Sequence, residues 1–76
     1  MEIIRQHTDC RKNEQTGKMT IDTIFLLHVF GHYIVATIRK EDDGKRDIDY
    51  RPAVDTAKIS TAITKYNALV KSVENR

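Results

Sequence analysis

Residues Ile21–Phe30 (IDTIFLLHVF) and Tyr33–Lys40 (YIVATIRK) flank the dipeptide Gly31-His32, and this stretch decides the fold. Both flanks are rich in β-branched and aromatic side chains, which suit a pleated, half-buried surface. A Gly-X pair between two such runs predicts a two-residue hairpin turn with the glycine at positive φ. Closing that turn sets Phe30 against Tyr33, Val29 against Ile34, Leu27 against Ala36 and Phe25 against Ile38. One face of the hairpin then reads Phe25, Leu27, Val29, Ile34, Ala36 and Ile38, with no polar residue among them. A slip of one residue would scramble that face, so the pattern argues for the pairing.

Working outward, Asp42-Asp43-Gly44 predicts a three-residue hairpin loop ending in a left-handed glycine. Glu41 then faces Lys45, Arg39 faces Asp47, Ile38 faces Ile48 and Ala36 faces Tyr50. The third strand is expected over Lys45–Arg51, ended by Pro52, the only proline. Beyond it the hydrophobic period changes to about 3.6. Ile59, Ala62, Ile63, Tyr66, Leu69, Val70 and Val73 form one stripe, which predicts a helix from Thr56 to about Glu74 with Asp55 as N-cap. On the N-terminal side, Glu2–Thr8 carries Ile3 and Ile4 and has the makings of a short strand, and the polar run Cys10–Lys18 reads as a loop.

The expected fold is α+β: an antiparallel meander of three strands, or four if the N-terminal segment joins, with one C-terminal helix. The helix is expected on the face made by Phe25, Leu27, Ile38 and Ile48. The 76 residues form one domain, with 1–19 weakly structured strand and loop, 20–51 the meander and 56–74 the helix. At this size a compact monomer keeps roughly 4,800 Å² of surface and buries about 60% of what the open chain exposes.

One helix cannot cover two faces of a sheet. The second face carries Ile24, Leu26, His28, Phe30, Tyr33, Val35 and Thr37, and it is apolar near the Gly31 turn. Either Ile3, Ile4 and Met19 close it, or another molecule does. Contiguous apolar patches usually mark contact sites. Leu26, Phe30, Tyr33 and Val35, together with Asp42 and Asp43 of the acidic turn, are therefore the expected partner-binding residues, and a homodimer through that face is the simplest occupancy.

Composition bounds the rest. Lys plus Arg is 13 against 11 Asp plus Glu, a balance of +2 that does not by itself point to nucleic acid. No apolar run approaches the ~18 residues of a membrane helix and no signal peptide is visible, so no membrane is expected. One cysteine, Cys10, closes no intrachain disulfide and agrees with a reducing, cytoplasmic setting. His7, Cys10, His28 and His32 give H-x2-C and H-x3-H spacings, but His28 falls in a strand and His32 in a turn, so no metal is expected. Asp47 and Asp49 lie two apart on one strand, the spacing of a cation pair or an acid–base pair. Basic neighbours neutralise them, which favours a solvated turn. No phosphate-binding glycine loop, zinc-protease helix or nucleophile elbow is present, so neither catalytic residues nor a cofactor are expected.

In element order, from about Thr20 to Val73, the chain is similar to the small DNA-binding domains at the N-termini of phage-type integrases. That resemblance implies a sheet entering the major groove. On the expected outer face Arg39 is the only clear base, and the Asp-rich turn would repel phosphate. The reading favoured by the sequence is a non-enzymatic protein that binds, and blocks or bridges, a larger protein partner. Its size and style suit a viral or mobile-element accessory protein that inhibits a host defence complex, of the anti-CRISPR kind. A small DNA-binding domain is the alternative.

Overall fold

The computed structural model describes residues 1–42 and 48–75; the side chains of Asp42 and Ile48 lie outside the described residues. The order is β1 (Glu2–Lys12), β2 (Met19–Val29), β3 (His32–Asp42), β4 (Ile48–Thr56) and α1 (Ile59–Glu74). The strands form one antiparallel sheet in the order β1-β2-β3-β4, a plain meander, and α1 packs on one side of it. The α+β expectation therefore stands, with the N-terminal strand as its fourth member. That strand is longer than Glu2–Thr8 and takes in Cys10–Lys12, so the loop shrinks to residues 13–18.

The β2–β3 turn differs from expectation by its position. Its two central residues are Phe30 and Gly31, at φ 49° and 79°, with Val29 opposite His32 and His28 opposite Tyr33. Two consecutive positive φ values are the signature of a type I′ turn, whose twist matches that of the flanking strands. Leu27 consequently faces Ile34 and Phe25 faces Ala36. The third hairpin is displaced likewise, with Arg39 opposite Asp49 and Ile38 opposite Tyr50. Both pairings are two residues from those expected. Side chains alternate with period two, so a two-residue displacement leaves every residue on its expected face.

The helix, however, lies on the other face. Ile24, Leu26 and Val35 are its sheet partners, with Ala62, Tyr66 and Val73 above them and Ile4, Tyr33, Val54, Ile63, Leu69 and Val70 around them. The expectation that α1 covers Phe25, Leu27 and Ile38 is corrected here. The physical reason is that both faces are apolar, so counting hydrophobes could not choose between them. Ile4 tips the count toward the observed side, because a bulge in β1 between Ile3 and Arg5 brings it against the core.

Two further boundaries move. β4 runs through Pro52 to Thr56 rather than stopping at Arg51. Proline is tolerated because β4 is an edge strand and its pairing with β3 is irregular between Val35 and Ala36. Asp55 is thus the penultimate strand residue, and α1 begins at Ile59 with Lys58 as an N-cap that has no side-chain bond. The backbone N–H of Lys58 donates to Thr56 Oγ1 at 3.1 Å, which makes the corner between strand and helix. The expected stripe is otherwise the buried one, except that Ile59 is exposed.

Candidate functional site

Placing the expected contact residues on this fold separates them. Leu26 and Val35 are 0% exposed beneath α1, and Tyr33 packs against the same core, stacked on His28 with ring centroids 4.7 Å apart. None of the three offers an outer surface, because the helix covers the face they share. Phe30 is 98% exposed at the tip of the turn. Asp43 lies outside the described residues, as does the side chain of Asp42.

The surface left open is the opposite face, expected from sequence to be the helix side. Its centre is Phe25, Leu27, Ile34, Ala36 and Ile38, with Val29 and Ile21 towards its two ends. From the edge strands come Ile3, opposite Leu27, and Tyr50, opposite Ile38, both about half exposed. The central residues are only half-buried, screened by each other and not by a second layer, apart from the small Ala36 between Phe25 and Pro52. The helix makes its contacts on the other side. From the sequence, Phe25, Leu27, Val29, Ile34, Ala36, Ile38 and Tyr50 read as one apolar set assigned to the interior, and Ile3 as a candidate cover for the other face.

Among the described residues, charge on the open face is confined to its ends. Lys12 and Lys40 lie at the end away from the Phe30 turn, opposite Met19 and Ile21 respectively. At the turn end, His32 Nδ1 lies 3.3 Å from Asp55 Oδ1. Between them the polar groups are the Thr8–Thr23 hydroxyl pair at 3.3 Å and Gln6 on the outer strand.

Among the described residues, the buried charge lies on the helix side. Asp22 is 2% exposed and accepts two bonds from Arg39, from Nε at 2.8 Å and Nη2 at 3.3 Å. The fork geometry makes this a strong pair. The hydrogen bond to Asp22 raises the Arg39 pKa above its ordinary value, against the opposing effect of burial. Arg39 is therefore engaged beneath the helix and is not a free reader on an outer face. The pair borders a cavity of about 200 Å³ lined also by Arg51, Leu69, Ser72 and Val73. Arg51 is itself held by Asp49 at 2.8 Å.

The histidine and cysteine spacings are split by strand alternation. His7 sits on the helix side, 3.9 Å from Glu74, and Cys10, three residues on, falls on the open side. His28 and His32 divide the same way. Asp49 is on the helix side, and its strand neighbour Asp47 lies outside the described residues. Among the described residues no helix is long and apolar enough to cross a membrane. Comparison of the chain with protein-family models, with curated proteins and with solved structures gives no match.

Proposed function

We propose that this chain is a non-enzymatic interaction protein whose working surface is the open face of the sheet, and that it blocks or bridges a larger protein partner by contact. The observation that carries the reading is the uncovered cluster of Phe25, Leu27, Ile34 and Ile38 in the middle of a four-stranded sheet. An antiparallel sheet with one helix layer normally alternates apolar inward and polar outward. Here the outward set is as apolar as the inward one, and isolated exposed hydrophobes would not give such continuity.

The DNA-binding alternative has less support. The resemblance to integrase domains would use a basic sheet face, whereas Arg39 is committed to Asp22 and, among the described residues, Lys and Arg on the open face lie at one end. An accessory protein that occludes a larger assembly remains the setting that best suits a chain of this size.

The test is comparative capture on immobilised chain. Leu27→Lys puts a charge at the centre of the open face, and Lys65→Glu reverses a charge on the exposed side of α1. The reading expects a partner retained by the parent and by Lys65→Glu but lost with Leu27→Lys, with circular dichroism unchanged in all three. Capture indifferent to Leu27→Lys would place the working surface elsewhere.

A further inference from the structure

Resting on the reading of the open face as a contact surface, we infer that while no larger partner is bound its occupant is a second copy of this chain, packed face to face with the strand ends reversed, so that self-pairing and partner binding compete for one surface. Three observations converge on that occupant.

The first is area. The chain exposes 5549 Å², against roughly 4,800 Å² for a compact monomer of its mass. The excess is close to the roughly 800 Å² that each partner contributes to an interface of standard size. Strands of 11 residues in a four-stranded sheet give a face of about 37 by 19 Å, a footprint of the same order.

The second is self-complementarity. A two-fold contact sets the same patch against itself, so the patch must carry no charge at its middle. The centre of this face meets that condition, since Phe25, Leu27, Ile34, Ala36 and Ile38 are all apolar. Two such sheets pack about 10 Å apart as a sandwich, with side chains interleaved.

The third fixes the orientation. A two-fold axis along the strands would bring Lys12 and Lys40 of one copy to the same end as those of the other. An axis across the strands exchanges the ends. Lys40 lies four residues beyond Ala36 on β3 and His32 four residues before it. With the axis passing near Ala36, Lys40 of one copy meets the His32–Asp55 end of the other. Opposite charges then face each other twice at the rim, where they set orientation more than affinity.

Sedimentation equilibrium on the purified chain at micromolar to hundred-micromolar concentration tests this. The expected result is a mass twice 8.8 kDa at the upper end, reduced to the monomer by Ile38→Glu with helix content retained. Lys40→Glu and Asp55→Lys, both exposed, should each raise the dissociation constant about fivefold or more, and the double reversal should bring it back towards the parent. A chain that is monomeric throughout overturns the proposal, while partner capture lost with Leu27→Lys would still uphold the contact surface. A dimer that ignores both charge reversals overturns the orientation. A dimer that persists in Ile38→Glu indicates pairing through an edge strand and overturns the face.

Discussion

Phe30 holds φ at 49°, a region that costs a bulky L-residue about 1–2 kcal/mol, and it spends that energy in full exposure at the tip of a turn. Asparagine adopts this conformation far more readily, and Asn-Gly is the preferred pair for a type I′ turn. Phe30→Asn is therefore expected to stabilise the fold by about 1 kcal/mol, a rise in Tm of about 4–8 °C for a domain of this size. Thermal unfolding followed by circular dichroism measures it. A lower Tm would mean that the ring makes a stabilising contact that its exposure hides. The same residue explains why the register was not legible in the sequence. Phenylalanine is a poor candidate for a positive φ, so Gly31 is naturally assigned the first turn position with His32 after it. The turn lies one residue earlier, with Gly31 in second place, and every β2–β3 partner shifts by two. Parity survives such a shift, which is why the membership of both faces could be read correctly from an incorrect pairing.

Between the helix and the sheet, the assignment of faces has an energetic consequence. Leu26 is enclosed by α1 while its neighbour Leu27 points to the open side. In a monomeric Ile38→Glu background, Leu26→Ala should cost about 2–5 kcal/mol by cavity formation, and Leu27→Ala should cost about 1 kcal/mol or less. Urea unfolding gives both values, and the reverse order would put the helix on the face first expected from sequence. Tyr66 of α1 gives a second check. Burial raises its pKa above the ordinary 10.0, and the charge of Arg5 opposes the shift only in part. The folded state thus holds the phenolic proton more tightly than the unfolded state. Its contribution is fully present below about pH 10 and is lost as pH rises through the folded-state pKa. Tyr66→Phe should remove that part of the alkaline loss, seen as a flatter dependence of unfolding free energy above pH 10; an unchanged slope would contradict burial of the hydroxyl. The helix itself was legible because its stripe repeats over four turns. Its start was not, since β4 passes through Pro52 on an edge where a missing N–H is tolerated, and this carries Asp55 into the strand. The side on which α1 lands was beyond any count of hydrophobes, because the two faces differ little in apolarity. What separates them is the bulge that adds Ile4 to one and the Asp22–Arg39 pair that needs cover on the same side.

At the scale of the whole molecule, two layers leave one sheet face open, and the contact surface follows from that geometry. From the sequence, one helix could cover only one of two apolar faces, leaving the other to Ile3, Ile4 and Met19 or to another molecule; in the structure the N-terminal segment is a fourth strand and the face without the helix is the opposite of the one expected. Leu26 and Val35 move from the expected contact set into the core, and Phe25, Leu27, Ile34 and Ile38 take their place. The chain's surface exceeds that of a compact monomer by about one side of a standard interface, so pairing would bring each copy to about the surface of a compact chain of its own mass. The most direct test is an isotope-filtered NOE measurement on a mixture of labelled and unlabelled chains, which reports only contacts between different copies. Face-to-face pairing should give cross-peaks among the side chains of Phe25, Leu27, Ile34 and Ile38, and from Lys40 to the His32–Asp55 end. Intermolecular peaks confined to β1 or to the surface of α1, or none at concentrations where the chain should be paired, would contradict it.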